Sequence, residues 1–147
     1  MDIRVQSEAF DSGAEVSSFS SRLTSSGAAV SFTGIVRNNA DGTLKTMEIE
    51  HYPGMTSKAI SEIAENAKAK WNLENVMVIH RFGSLQPGEE IMMVATASAH
   101  RKNAFEAAEY LMDYLKSCAP FWKKEITDQG GEWVAAKSDD EDALKRW

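Results

Sequence analysis

The sequence predicts an α+β fold with an antiparallel-rich sheet and two to three main helices, and three observations carry that expectation. Strand-like runs come in adjacent pairs, 28–37 with 43–52 and 75–83 with 89–98. Turn-forming residues separate the members of each pair, Asp41-Gly42 in the first and Pro87-Gly88 in the second. Helical periodicity falls between the pairs and not after every strand, which disfavours a doubly wound parallel sheet.

The elements follow in order. "DIRVQ" alternates as a strand, and Val16, Phe19 and Leu23 then recur at intervals of three and four, as on a short amphipathic helix. "AAVSFTGIVR" and "TLKTMEIEHY" read as two strands paired with each other around an exposed "NNADG" loop. After the Pro53-Gly54 breaker, Ala59, Ile60, Ile63, Ala64, Ala67 and Trp71 lie at helical spacing. "NVMVIHRFG" and "EEIMMVATAS" form the second strand pair, and a long helix then runs from about His100 to just before Pro120. "FWKKEIT", the turn "DQGGE", a short strand "EWVAAK" and a last helical turn or two complete the chain.

Composition narrows the function. With 147 residues, 43% of them hydrophobic, the chain suits one domain with a real core. Sixteen Lys+Arg against 22 Asp+Glu give a net charge of −6, which disfavours nonspecific binding to nucleic acid or an anionic membrane. An anionic ligand therefore needs a local basic cluster. No run approaches the ~18 apolar residues of a membrane span, and "MDIRVQSEAF" lacks the order of a secretory signal, so a cytoplasmic location is expected. Cys118 is the only cysteine, which excludes an intrachain disulfide and a cysteine-based metal cluster.

The long helix carries the most information. Ala104, Phe105, Ala108, Leu111, Met112 and Leu115 fall in one sector about 120° wide at 100° per residue, and this sector is the expected core stripe. Lys116 projects just beyond it, so that its stem can lie half-buried on apolar surface. Backward extension of the helical phase puts Arg101 inside the sector and His100 at its margin, where the helix N-terminus would help them cradle an anion. The plainer alternative is that Ser98 caps the helix while His100 and Arg101 pair with a carboxylate. The intervening helix, at ~1.5 Å rise per residue, separates the two ends by roughly 22 to 24 Å. A single small ligand cannot touch both ends, so a shared site requires two copies of the chain.

Beyond that helix, "LKSCAPFWKKE" sets Lys123 and Lys124 against two aromatics and a proline. Phe121 and Trp122 read as packing residues, Gly34 as a place of close backbone approach, and His80 and Arg81 as a structural pair beside the Pro-Gly turn. Cys118 reads as a small buried thiol in preference to a sulfur carrier.

Taken together, "SFTGIVRNNADG", "HRFGSLQPGEE", "SAHRKNAFEAAEYLMDYLK" and "APFWKKE" resemble, in order and along nearly the whole chain, the large catalytic subunit family of molybdopterin synthase. The resemblance implies an α/β hammerhead-type single domain over 1–147 and a homodimer forming the core of a heterotetramer. A small ubiquitin-like sulfur-carrier subunit would bind at each end and insert a C-terminal Gly-Gly thiocarboxylate. Sulfur would pass to cyclic pyranopterin monophosphate (precursor Z), and two transfers would build the dithiolene of molybdopterin without a cofactor or metal. Carried onto matching positions, the family's catalytic residues are Lys116 and Lys123. Its substrate contacts are Ile35, Val36, Arg37, His100, Arg101, Lys116, Lys123, Lys124 and Glu125, with His100 and Arg101 reaching in from the neighbouring protomer.

Two rivals from other classes stand beside this reading. One is a non-catalytic dimeric adaptor that binds the tail of a small acidic partner. The other, a phosphate-binding regulatory module, is disfavoured because no G-x-x-x-x-G-K-[ST] loop is present.

Overall fold

Eight strands divide between two four-stranded sheets in the computed structural model, which describes residues 1–134 and 138–147. In chain order the elements are β1 (Asp2–Gln6), α1 (Ser12–Ser21), β2 (Ala28–Ile35), β3 (Thr46–His51), α2 (Met55–Lys70), β4 (Asn75–Arg81), β5 (Gly83–Leu85), β6 (Glu90–Ser98), α3 (Arg101–Ser117), β7 (Phe121–Thr127), β8 (Gly130–Trp133) and α4 (Ser138–Ala143). A 3-10 turn, Leu144–Arg146, follows. The first sheet has the order β1-β4-β6-β2, with only β1–β4 parallel, and the second has the order β5-β3-β7-β8. The α+β class and the antiparallel bias follow the sequence reading. The last strand begins earlier than expected, at Gly130, and ends at Trp133 with Val134 outside it; the remainder of "EWVAAK", 135–137, lies outside the described residues.

One expected pairing fails. β2 and β3 do not pair with each other: β2 lies along β6, and β3 lies between β5 and β7. The "NNADG" segment is therefore a crossing between sheets and not a hairpin. Asn38 and Asn39 side chains accept from the Leu44 amide, each at 3.1 Å, and so tie the loop's two ends together.

The first sheet is covered on both faces. Val76 and Val78 of β4 face the main core with α2 and α3, whereas Met77 and Ile79 face Phe19 of α1. Successive residues of a strand point to opposite faces, so a strand buried on both sides reads as a continuous apolar run. "VMVI" is such a run. Asp11 caps α1 by accepting from the Ala14 amide at 3.1 Å.

At the start of β2, Gly27 packs so closely on the end of β6 that an added Cβ would lie 2.5 Å from the Ala99 carbonyl oxygen. Backbone cannot yield as a side-chain tip can. Gly27→Ala is expected to cost about 1–3 kcal/mol, the usual range for overpacking, and to lower the thermal midpoint by several degrees in calorimetry. An unchanged midpoint would show that the β2–β6 corner relaxes freely.

On α3 the stripe is buried at Ala104, Ala107, Ala108, Tyr110, Leu111 and Leu115. Phe105, expected in the core, is instead 58% exposed, and Arg101 one turn before it is also exposed. Ser98 is buried in β6, and His100 occupies the N-cap position without a side-chain capping bond.

The chain's last residues pack on its own body. Trp147 lies edge-on to Trp71 (5.5 Å between ring centres) and Tyr110 (5.7 Å), and its Nε1 donates to Asp113 at 2.6 Å. Arg146 also reaches Asp113, at 2.6 Å. These contacts hold α4 against α3, where the Ser117 hydroxyl donates to the Asp140 carbonyl at 3.2 Å. Among the described residues no helix is long and apolar enough to cross a membrane, and no group of three or more His, Cys, Asp or Glu could hold a metal ion.

Candidate active site

A cavity of about 520 Å³ opens where the end of β2, the end of α3 and the start of β7 meet. That size suits a small-molecule ligand. Each wall follows from local sequence.

The β2 wall is shaped by a bulge. Gly34 pairs with Met92 while Ile35 pairs with Glu90, leaving Ile91 as the extra residue. Bulges bend a strand and re-aim its side chains, and here Gly34, Ile35, Ile91 and Met92 all line the cavity. A Cβ on Gly34 would come within 3.2 Å of Met92 Cγ, so close approach is indeed what the glycine permits. Next in the chain, Val36 turns inward. Its side chain is 1% exposed, its amide donates to the Glu89 carbonyl (2.9 Å), and its carbonyl accepts from the Gly88 amide (2.8 Å). Val36 is thus a pin between the cavity residues Ile35 and Arg37, and does not itself line the cavity.

The β7 wall obeys the two-residue period of a strand. Phe121, Lys123 and Glu125 line the cavity. Trp122 and Lys124 point the other way: Trp122 is 41% exposed and packs edge-on to Tyr52, and the Lys124 ammonium sits 5.5 Å from the centre of the Trp133 ring. Lys124 accordingly leaves the set of cavity residues, and Trp122 is a surface residue.

Lys116 enters from the last turn of α3, where a cation also suits the helix C-terminus. It is an exposed residue that still lines the cavity. Met112 and Leu115 supply apolar lining on the same wall. Cys118, two residues on, is exposed and lies outside the lining, contrary to its reading as a buried thiol.

The cavity therefore gathers Arg37, Lys116 and Lys123 around Glu125 and Asp140. Of the residues singled out in the sequence, Ile35, Arg37, Lys116, Lys123 and Glu125 come together, while Val36, Lys124, His100 and Arg101 do not line this cavity. His100 and Arg101 are exposed at the far end of α3, as the helix length requires.

One lining residue carried no functional expectation. His80 of β4 is 4% exposed, stacks on Phe121 with ring centres 3.7 Å apart and planes 16° from parallel, and shares a hydrogen bond of 2.8 Å between Nδ1 and the Arg81 carbonyl. Burial lowers its pKa to about 3, with the charges of Lys123, Lys116 and His51 acting in the same direction and the Arg81 hydrogen bond opposing them. Arg81 keeps a structural role: its guanidinium donates to the Ser7 carbonyl at 3.0 and 3.2 Å and pairs with Glu89 at 3.3 Å. The two-residue period of a strand puts His80 on the same face as Val76 and Val78, but only tertiary structure tells that this face opens on a cavity.

The fold and site define an α+β domain with a ligand-sized cavity lined by both cations and carboxylates. Comparison with known proteins gives the family. The model of the MoaE protein family matches residues 5–118. A molybdopterin synthase catalytic subunit from Cereibacter sphaeroides is 59% identical over 147 residues, with both chains covered completely. Among solved structures, the molybdopterin biosynthesis MoaE protein from Burkholderia ambifaria superposes with a TM-score of 0.84 at 47% identity, covering 99% of this chain and 97% of the other. The molybdopterin synthase from Staphylococcus aureus gives 0.81 at 32% identity, covering 90% and 96%. This chain belongs to the MoaE protein family.

Proposed function

We propose that the chain is the catalytic subunit of a molybdopterin synthase. It transfers sulfur from the C-terminal thiocarboxylate of a small ubiquitin-like carrier subunit to cyclic pyranopterin monophosphate. The observation that carries this reading is the meeting of Lys116 from α3 and Lys123 from β7 in one cavity, although they belong to different elements. Phosphate and thiocarboxylate are both anions, so the site must offset their repulsion before sulfur can attack.

Arg37 suits forked hydrogen bonds to phosphate oxygens. Lys116 lies toward the carrier tail, steering the thiocarboxylate and stabilising negative charge on the terminal carbonyl as its acyl group is released and hydrolysed to a carboxylate. Lys123 protonates the departing oxygen of the pterin or holds the phosphate, and Glu125 orients Lys123 or takes a proton. No cofactor is needed in this scheme.

His100 and Arg101 serve the site of a second copy in a homodimer. The surface around them supports that assembly, since Phe105 lies exposed one turn beyond Arg101 and a second copy would bury it. One carrier on each protomer then makes a heterotetramer, working in the cytoplasm.

The test mixes the protein, thiocarboxylated carrier and cyclic pyranopterin monophosphate and follows the pterin by mass spectrometry. A gain of two sulfurs is expected, and no gain would leave an adaptor that binds a tail without chemistry. Random mixed dimers of Arg101→Ala and Lys116→Ala chains are expected to regain about a quarter of wild-type activity, because half are heterodimers with one intact site each. Absence of any recovery would mean that each site is built from a single chain.

A further inference from the structure

His80 is a buried polar group of the cavity for which the scheme above has no use. A carbonyl only accepts, so in the 2.8 Å contact with Arg81 the proton belongs to Nδ1 of His80. Nε2 of the neutral ring is then a lone-pair acceptor. Among the described residues the ring's hydrogen bond is made through Nδ1, and His80 lines the cavity. The ring cannot readily turn, being 4% exposed and stacked on Phe121.

The rest of the polar lining is mostly charged, with Arg37, Lys116 and Lys123 offering donors and Glu125 and Asp140 offering anionic acceptors. A neutral acceptor fixed between cations does a different job: it reads an uncharged donor and does not attract phosphate. We propose that His80 is a specificity-determining residue, its Nε2 accepting a hydrogen bond from a neutral N–H or O–H group of the heterocyclic substrate. This assignment rests on the proposed pterin chemistry for the identity of that substrate. The cations around His80 favour it further, since their charges and the burial of the ring keep it unprotonated and therefore accepting.

Two measurements test the assignment. In wild-type protein labelled with ¹⁵N-histidine, His80 should give the spectrum of a neutral ring protonated on Nδ1. Cyclic pyranopterin monophosphate should shift its Nε2 resonance upfield, whereas inorganic phosphate should leave it in place. His80→Asn keeps a donor near Nδ1 but removes the acceptor, and is expected to raise KM for the pterin roughly tenfold, the upper end of what one neutral hydrogen bond supplies, with a smaller effect on kcat. His80→Gln, which can present an oxygen near Nε2, should recover most of that loss. An Nε2 resonance unmoved by bound pterin, or equal KM values for wild type and His80→Asn, would overturn the proposal. If the asparagine variant does not fold, the wild-type spectrum decides alone. Wild-type protein that binds pterin with the Nε2 shift but transfers no sulfur would sink the sulfur-transfer reading and leave the recognition role standing.

Discussion

Lys116→Ala is expected to lower sulfur transfer from thiocarboxylated carrier by about 10²–10³-fold, the usual cost of removing one group that stabilises developing negative charge. Single-turnover formation of sulfur-loaded pterin, followed by mass, is the measurement. The fold should survive, because the side chain is exposed and such substitutions usually stay within about 0.5 kcal/mol of wild type. Lys116→Arg should rescue poorly: a planar, permanently charged fork does not replace a compact ammonium that can also move a proton. Lys58→Ala, on the exposed surface of α2, serves as the control and should leave the rate unchanged. A Lys116→Ala protein working at the wild-type rate would remove this residue from the chemistry and leave Lys123 and Arg37 to account for it.

The second large effect is on acid stability. The His80 imidazole titrates near 6.5 when unfolded and at about 3 when folded. Between those values the unfolded chain binds a proton that the folded chain does not, so stability rises with pH across the window and is lost as pH falls from 6.5 toward 3. Within that window the slope is at most about 1.4 kcal/mol per pH unit. Lys116, Lys123 and His51 act on the ring by charge, and Glu125 and Asp140 line the same cavity. Glu74 adds its own loss at lower pH. Hydrogen bonds from the Thr24 amide, the Ser26 hydroxyl and the Ser25 amide hold its pKa at about 2 against 4.5 unfolded, so its stabilisation disappears only as pH falls through that lower range. Urea midpoints should therefore decline from pH 7 to pH 4 in wild type and decline much less in His80→Gln. Parallel declines in the two proteins would assign the acid sensitivity to other groups.

Much of this architecture is legible in the sequence because it rests on periodicity. The α3 stripe, the continuous apolar run of β4 and the Pro-Gly turn before β6 each announce their element. Pairing is less legible. β2 and β3 are neighbours along the chain with a turn-like loop between them, and nothing local reveals that the loop crosses between sheets. β5, three residues long, is too short to show a pattern. In the site, the family motifs deliver Arg37, Lys116, Lys123 and Glu125 as a group, but a motif carries a run of residues and not the faces they occupy. Lys124 therefore comes with Lys123 in the same run, while the alternation of β7 turns the two to opposite faces. Helical phase puts Phe105 in the core stripe and Arg101 in the same sector, yet both are exposed, because phase alone does not tell which part of an apolar sector the chain's own sheet covers. His80 was missed for a related reason: both faces of β4 are buried, and only the packing of Phe121 and α3 leaves room beside one of them.

The placement of the β7 lysines makes the pocket sensitive to parity. Substituting the outward residues Trp122 or Lys124 alters the protein's exterior and leaves the inward row intact. Gaining or losing a single residue between Ala119 and Lys123 would exchange the two rows, turning Trp122 and Lys124 toward the cavity in place of Phe121 and Lys123. Length in this short stretch is therefore constrained more tightly than composition.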